Sequence, residues 1–371
     1  MKAEVAIVGS GPAGSTLAAI LARRGLNVAL IDRAEFPRDK LCGEFLSYDA
    51  LPILDRLAVS FDAPPIKRCR VVARHRVYEF DFPASARGVS RLLLDDLLFR
   101  TAVAAGARSF SGWTVTSLDP LTIERDGENQ TIVAKVVVGA WGRWGRFDAQ
   151  LGRGFVRDHS HRSFGFKRHY RSTTDEPIIE LYSFRGGYLG VSPIENGQIN
   201  ICGLVHASRL SGLKGRWDAF IDTIRGEEKQ LDALYSRHEP AQDGFLTSEP
   251  VIFRARSPVE RGVFMIGDAS GIVDPLTGNG MAMGIQSAAI AAPHVLHAVE
   301  GKRDEAAYRQ AHAAFFATRI RWSRRVAMIL SRPALLDAAL AAVRSPRAGR
   351  FLLTHTRAGE EAAERLSDTV I

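Results

Sequence analysis

Residues 4–32 read EVAIVGSGPAGSTLAAILARRGLNVALID, and this stretch decides the fold. An apolar, β-prone run at 4–8 leads into a glycine turn at 9–14. An alanine-rich stretch at 15–24 has helical spacing, Gly25 stands where a helix C-cap is wanted, and 27–31 is a second apolar run. Strand, turn, helix and strand in that order form a βαβ unit, which implies a parallel sheet. Gly9, Gly11 and Gly14, with Pro12 and Ala13 between them, match GxGxxG. The three glycines serve a tight turn, close backbone approach to a pyrophosphate, and close packing of helix on strand. The helix start adds unpaired N–H groups and the positive end of a dipole. Asp32 ends the second strand and is followed by Arg33. A carboxylate there binds both hydroxyls of an adenosine ribose and repels a 2′-phosphate. The unit predicts a site for an ADP moiety.

The rest of the 371 residues sets the context. With 46% hydrophobic and 24% charged residues the chain can bury a sizeable core without disulfide staples, and a prior of about 150 residues per domain suggests two domains. Cys42, Cys69 and Cys202 are odd in number and lack CxxC spacing, which speaks against a disulfide framework or a zinc site and for a reducing compartment. The first residues lack the apolar core of a secretory signal. Residues 281–299 are interrupted by Gln286, Ser287, Pro293, His294 and His297, too polar a run for a membrane span. His159 with His161, and His294 with His297, find no third ligand, so no metal is expected. No GxSxG elbow supports hydrolysis. Of the net charge of +8, the segment 318–350 supplies most, with eight arginines against the single acid Asp337. That concentration excludes a general nucleic-acid binder.

Helical spacing recurs at 92–105, and 133–138 reads as a strand buried on both faces. Residues 154–253 change character. Runs at 178–189 and 198–205 flank Asn196-Gly197, a hairpin signal, so an antiparallel sheet is expected, with helix at 217–237. Residues 263–266 return to the parallel-strand pattern, followed by a glycine-rich loop and a helix from near Met281. Everything after 303 is helical, with breaks at Pro333 and at Ser345-Pro346.

A second signature lies late in the chain. Gly267-Asp268-Ala269 follows the strand, and Asp274-Pro275-Leu276-Thr277-Gly278-Asn279-Gly280 precedes the helix. In these residues the sequence resembles the p-hydroxybenzoate-hydroxylase-like flavoproteins. The resemblance implies FAD, with Asp268 on the ribityl chain and Pro275, Gly278, Asn279 and Gly280 at the flavin's pyrimidine edge, where a helix dipole stabilises the negative charge of reduced flavin. Arg91, at the head of the helix, resembles the family arginine that reaches the phosphate or ribityl region. The implied fold is α/β: a Rossmann-type FAD-binding domain (1–75, 92–153 and 255–300), an antiparallel-sheet substrate domain (76–91 and 154–254) and C-terminal helices (301–371).

Lys40-Leu41-Cys42-Gly43-Glu44 is similar to the geranylgeranyl-reductase-like branch, where the loop beside the flavin carries Cys-Gly-Gly and the late turn carries a glutamate. Glu44 and Asn279 replace the second glycine and that glutamate. Cys42 reads either as a cofactor-side thiol that donates a proton or as a buried structural cysteine. Glu44 reads as a general acid or as a carboxylate paired with Lys40 or a helix N-terminus. Tyr182, Phe184, Tyr188 and Pro193 lie on the segment that roofs the flavin in this family, as substrate contacts or as plain sheet core. Trp141 stands where many aromatic hydroxylases carry an Asp-Gly, and Trp141-Gly142-Arg143-Trp144 lacks the order and proline of the halogenase motif, so halogenation is rejected.

The expected protein is an FAD-dependent oxidoreductase that takes electrons transiently from NADH or NADPH. Both substitutions remove reductase-like features, which puts hydroxylation of a hydrophobic secondary metabolite ahead of C=C reduction. An FAD-binding protein without redox turnover is the third reading. The arginines at 319–350 interleave with Trp322, Met328, Ile329, Leu330, Leu335 and Leu336. That pattern reads first as a solvated helix packed on its own domain, and otherwise suits an anionic membrane surface or an acidic carrier. A cytoplasmic protein, peripheral to the inner face of the membrane, is the expectation.

Overall fold

The computed structural model describes residues 1–157, 162–173, 176–213, 215–251, 256–271, 278–342 and 347–370. The opening βαβ unit forms with strand Lys2–Val8, helix Pro12–Arg23 and strand Val28–Asp32. Gly25 takes φ +80°, the left-handed cap its position called for. Lys2–Val8 is central in a six-stranded sheet ordered Val259–Glu260, Val263–Met265, Val133–Gly139, Lys2–Val8, Val28–Asp32, Arg108–Ser111. All neighbours run parallel except the outermost pair, Val259–Glu260 with Val263–Met265.

Alternation explains why these strands read as unbroken apolar runs. Val5, Ile7, Val28 and Leu30 pack against helices Pro12–Arg23, Arg91–Ala104 and Gly280–Val299. Ala6, Val8, Ala29 and Ile31 face the opposite way, onto a small antiparallel sheet of Thr114–Leu118, Leu121–Arg125 and Glu128–Thr131. Val133–Gly139 departs from expectation at its start. Val133 is 62% exposed and pairs with exposed Lys2 at the end of the sheet; burial begins at Val136.

The second sheet has eight strands, ordered Leu246–Thr247, Ser163–Arg171, Gln198–His206, Gly187–Ile194, Ile178–Phe184, Pro65–Val72, Val77–Gly88, Phe45–Leu46. It is antiparallel apart from Ile178–Phe184 beside Pro65–Val72. Asn196 and Gly197 turn the expected hairpin with φ of +61° and +63°. Two of its strands, Phe45–Leu46 and Pro65–Val72, come from the segment 1–75, which therefore contributes to both sheets. One face is covered by Trp217–Glu227 and Lys229–Ser236, whose Phe220, Ile224 and Leu231 meet Phe166, Tyr170, Leu189 and Val191. The helix expected within 217–237 forms as two, parted at Glu228, where the backbone is extended and the carboxylate holds Arg74. The other face carries Cys69, Ile179, Tyr188 and Leu204, packed with Phe45 and with Ala327, Leu330 and Leu336 of helices Glu305–Leu330 and Pro333–Ala342. Helices Arg347–Thr356 and Glu360–Asp368 complete the chain; the break at Ser345-Pro346 lies outside the described residues.

Candidate cofactor and active site

The first glycine turn separates into packing glycines and an open one. Gly9 has φ +109°, and a Cβ there would lie 2.4 Å from the Ala140 carbonyl oxygen; on Gly14 it would lie 1.8 Å from the Gly9 oxygen. Both are demanded by the protein itself. Gly11 is not. Its φ of −70° suits any residue, and an added Cβ would meet only Nη2 of Arg91, at 3.7 Å. Pro12 and Ala13 open the helix, whose first turn has no side-chain cap and no acid. A helix start without a cap leaves its first-turn N–H groups without intrahelical partners.

Asp32 is already engaged. Its Oδ2 accepts from Ser10 N (2.8 Å), Ser10 Oγ (3.0 Å) and Arg38 Nη2 (2.7 Å); Oδ1 accepts from Ala34 N (3.0 Å) and Arg38 Nη1 (2.6 Å). Burial pushes the carboxyl's pKa up, but the Arg38 guanidinium outweighs it and holds the group well below the usual range. Arg38 also stacks 4.6 Å over the Phe36 ring. Asp32 thus braces the glycine loop, and ribose hydroxyls would reach it only when Arg38 swings aside. Arg33 is exposed.

The late turn packs directly on the early one. Gly267, at φ +60°, would place a Cβ 3.0 Å from Ala13 Cβ, and its N donates to Ser287 Oγ at 2.8 Å. Gly284, one turn into the second helix, would place one 3.7 Å from the same Ala13 atom. Asp268 is partly exposed, with Arg143 Nε 3.8 Å away and its own carbonyl accepting from Arg256. Gly278, φ +60°, lies against Phe45, and the fully buried Asn279 donates through Nδ2 to the Thr356 carbonyl at 2.6 Å. Gly280 starts helix Gly280–Val299 with open space where a Cβ would stand, again with no cap and no acid in the first turn. Pro275 lies outside the described residues. Two uncapped helix starts, each fronted by an open glycine and packed together through Ala13, fit a ligand with a pyrophosphate and a second, electron-rich locus.

Between the turns lies the loop 40–44. Arg91 binds the buried Asp95 through Nε (2.6 Å) and Nη2 (2.7 Å), faces Gly11, and lies beside the Cys42 thiol. Cys42 is half-buried. Its Sγ accepts from Glu44 N at 3.4 Å, and its carbonyl accepts from Asn200 Nδ2 at 2.8 Å. Burial pushes the thiol pKa up, with the Arg91 charge pulling the other way, so the group keeps its proton.

Glu44 sits at φ +56° with no exposed surface. Its Oε1 accepts from the Arg91 backbone N (2.9 Å) and from Lys167 Nζ (2.6 Å), and Oε2 meets His169 Nε2 at 2.7 Å. Lys167 has no exposed surface either, and also donates to Asp39 Oδ1 (2.6 Å) and the Lys40 carbonyl (3.3 Å). Desolvation lowers its pKa, but the two carboxylates win and raise it, so the ammonium is charged. Glu44 is therefore an acceptor clamped between a helix start and a buried lysine, and Lys40 reaches this cluster through its carbonyl alone. Lys167, His169 and Asn200 are absent from the sequence reading. Only Asn200 carried a signal, as a polar residue inside the apolar run 198–205; Lys167 and His169 lie in the polar strand Ser163–Arg171, and pairing brings His169 beside Asn200 and Lys167 beside Cys202 on one face.

The proposed roof residues divide between the two faces. Tyr182 and Phe184 point into the helix-covered core; the Tyr182 hydroxyl donates to Glu180 and accepts from Arg237, while Phe184 packs on Phe220. Pro193 alternates with Ser192 and shares their side, its carbonyl against Gly88. Tyr188, one strand over and opposite in register, lies on the face that carries Lys167, Asn200 and Cys202. Period-two alternation, which the aromatic count alone ignores, is the reason. Trp141 fills the space beside Gly139 and Gly145 and donates to Asp148 at 3.3 Å. His294 packs on Tyr308, His159 and His161 lie outside the described residues, and among those described no three metal-ligating side chains converge.

Comparison with known proteins agrees with this geometry. The family described as FAD binding domain matches residues 2–62 and 96–319. The menaquinone reductase of Mycobacterium tuberculosis is 32% identical over 330 residues, covering 78% of this chain and 76% of that protein. A tryptophan 2-halogenase of Chondromyces crocatus is 25% identical over 362 residues, covering 86% and 66%. The crystal structure of a geranylgeranyl bacteriochlorophyll reductase-like protein from Thermoplasma acidophilum superposes with a TM-score of 0.78 at 20% identity, covering 100% of this chain and 99% of the other.

Proposed function

The chain belongs to the FAD binding domain family, and from that premise we propose that it is an FAD-dependent reductase of a carbon–carbon double bond in an apolar substrate. The observation that carries this reading is Cys42: a thiol kept protonated by burial, between the Arg91 side chain that faces Gly11 and Asn200 of the second sheet. When bound, FAD supplies the hydride and is re-reduced by NADH or NADPH. Cys42 delivers the proton to the neighbouring carbon, and the adjacent Arg91 guanidinium stabilises the thiolate that is left. The likeness to menaquinone reductase supports the choice. The case for hydroxylation rests on Glu44 and Asn279, and both side chains are consumed by structural bonds, to Lys167 and His169 and to Thr356, while Cys42 is intact.

The substrate would lie along the apolar face of Tyr188, Leu204, Ile179 and Leu181, closed by Val326 and Ile329. Exposed Met328 and Phe351 share their helices with exposed Arg321, Arg325 and Arg350, and exposed Leu335 comes just after exposed Arg332, which stands in the link between helices, a mixture suited to resting on an anionic membrane surface. No helix among the described residues is long and apolar enough to cross one. The test is anaerobic turnover of menaquinone with NADH or NADPH, read by mass. A gain of two hydrogens without oxygen that persists after the quinol is reoxidised with ferricyanide, and is slowed in Cys42→Ala while the flavin is still reduced, is expected. A product heavier by one oxygen, formed only in air, would reverse the reading toward hydroxylation.

A further inference from the structure

Arg357 follows helix Arg347–Thr356 and is 7% exposed. Among the described residues its guanidinium makes no hydrogen bond and no ion pair. Nε and Nη1 are buried without partners, and the guanidinium stands 5.6 Å from the centre of the Phe45 ring. A buried cation left in this state is strongly destabilising, and a guanidinium has five N–H groups to satisfy.

The backbone on either side is fixed to the protein core. The Thr356 carbonyl accepts from Asn279 Nδ2 at 2.6 Å, and Ala358 N donates to Asp49 Oδ2 at 2.7 Å. Asn279 and Asp49 are themselves buried, so the arginine is held in place from both sides. Its position is specific. Phe45 abuts Gly278 of the late glycine turn on one side, and belongs with Cys69, Ile179, Tyr188 and Leu204 to the apolar sheet face on the other. Among the described residues Asp49 is the one carboxylate beside it. Arg319, 4.0 Å from Asp49 Oδ2, already shares that carboxylate, and the remaining titratable neighbours of Arg357 are Tyr48 and Cys69. Further buried acceptors, Asp49 Oδ1, Asn279 Oδ1 and Ser47 Oγ, also lack partners among the described residues.

We infer that Arg357 anchors a negatively charged oxygen, such as a carboxylate, carried by the apolar substrate. The inference rests on the apolar-substrate reading above and adds that the substrate is amphiphilic, its charged end at the glycine turn and its hydrocarbon along the sheet. The same charge could instead serve reduced flavin, so the experiment separates the two sources.

The FAD-loaded full chain is titrated with cis-parinaric acid and with its methyl ester, read by parinarate fluorescence. The acid should bind about tenfold or more tightly than the ester. Arg357→Met should remove that preference by weakening the acid alone, and Arg357→Lys should keep part of it; FAD content and melting temperature check that each variant is folded. Equal binding of acid and ester by the wild type, or a preference that survives Arg357→Met, overturns the inference. So does a variant that weakens the flavin–sulfite adduct with the acid preference intact, since the charge then serves the cofactor. Because parinarate binding needs no turnover, failure of double-bond reduction leaves this readout standing, and the converse also holds.

Discussion

Replacing Lys167 with methionine tests whether the buried charge cluster beneath the second sheet is held by pairing. Lys167 has no exposed surface, and its ammonium is shared by Glu44, Asp39 and the Lys40 carbonyl at 2.6, 2.6 and 3.3 Å. Removing it strands Glu44 with one backbone N–H and His169. Breaking a buried pair in this way costs about 3–5 kcal/mol. The companion change is Glu44→Gly, which removes the carboxylate and also relieves a φ of +56°, worth about 1–2 kcal/mol in a non-glycine residue. The double variant Glu44→Gly/Lys167→Met should therefore recover most of the loss and stand within about 2 kcal/mol of wild type. Urea unfolding, followed by tryptophan fluorescence, measures all four corners of the cycle. A Lys167→Met protein as stable as wild type, or a double variant as unstable as Lys167→Met alone, would refute the claim that an uncompensated buried charge is what matters there.

Three further outcomes follow from the geometry. Gly14→Ala, whose Cβ would lie 1.8 Å from the Gly9 oxygen, should lower the melting temperature of the cofactor-free protein, measured by calorimetry; an unchanged value would show that the turn is looser than described. His312 is buried beside Ser270, and burial lowers its pKa from 6.5 to about 4. The folded state then stays neutral while the unfolded chain takes up a proton. The full stability is present above pH 6.5 and is lost progressively down to about pH 4, by on the order of 3 kcal/mol; His312→Gln should flatten that part of the pH–stability curve, and an unaltered slope would count against it. Phe184→Ala, in the helix-covered core, should cost about 3–5 kcal/mol in urea unfolding without altering KM, whereas Tyr188→Ala should raise KM; the reverse pattern would put the substrate on the other face.

The parts of the fold governed by local rules were legible. Residues 4–32 specify strand, glycine turn, helix and strand by spacing alone, and Asn196-Gly197 specifies a hairpin, because the needed backbone conformations belong to those residue types. What sequence does not display is partnership across the chain. Asp32 reads as a ribose ligand, yet Arg38, six residues on, occupies it. Glu44 reads as an acid, yet its pairing with Lys167 depends on a strand more than a hundred residues later. Phe184 and Tyr188 are alike in composition and differ only in register. Arg357 looks like one more basic residue of a charged C-terminal region, and burial without a partner among the described residues sets it apart.

The most direct measurement is FAD binding to the cofactor-free protein by calorimetry, comparing wild type with Gly11→Ala and Gly280→Ala. Among the described residues neither position needs glycine for the protein's own sake: only Arg91 Nη2 would come within 4 Å of a Cβ on Gly11, and nothing on Gly280. If the two helix starts receive the cofactor, both variants melt no lower than wild type yet bind FAD at least about tenfold more weakly. Wild-type protein that takes up no FAD, or variants that bind it as tightly as the parent, would contradict the account.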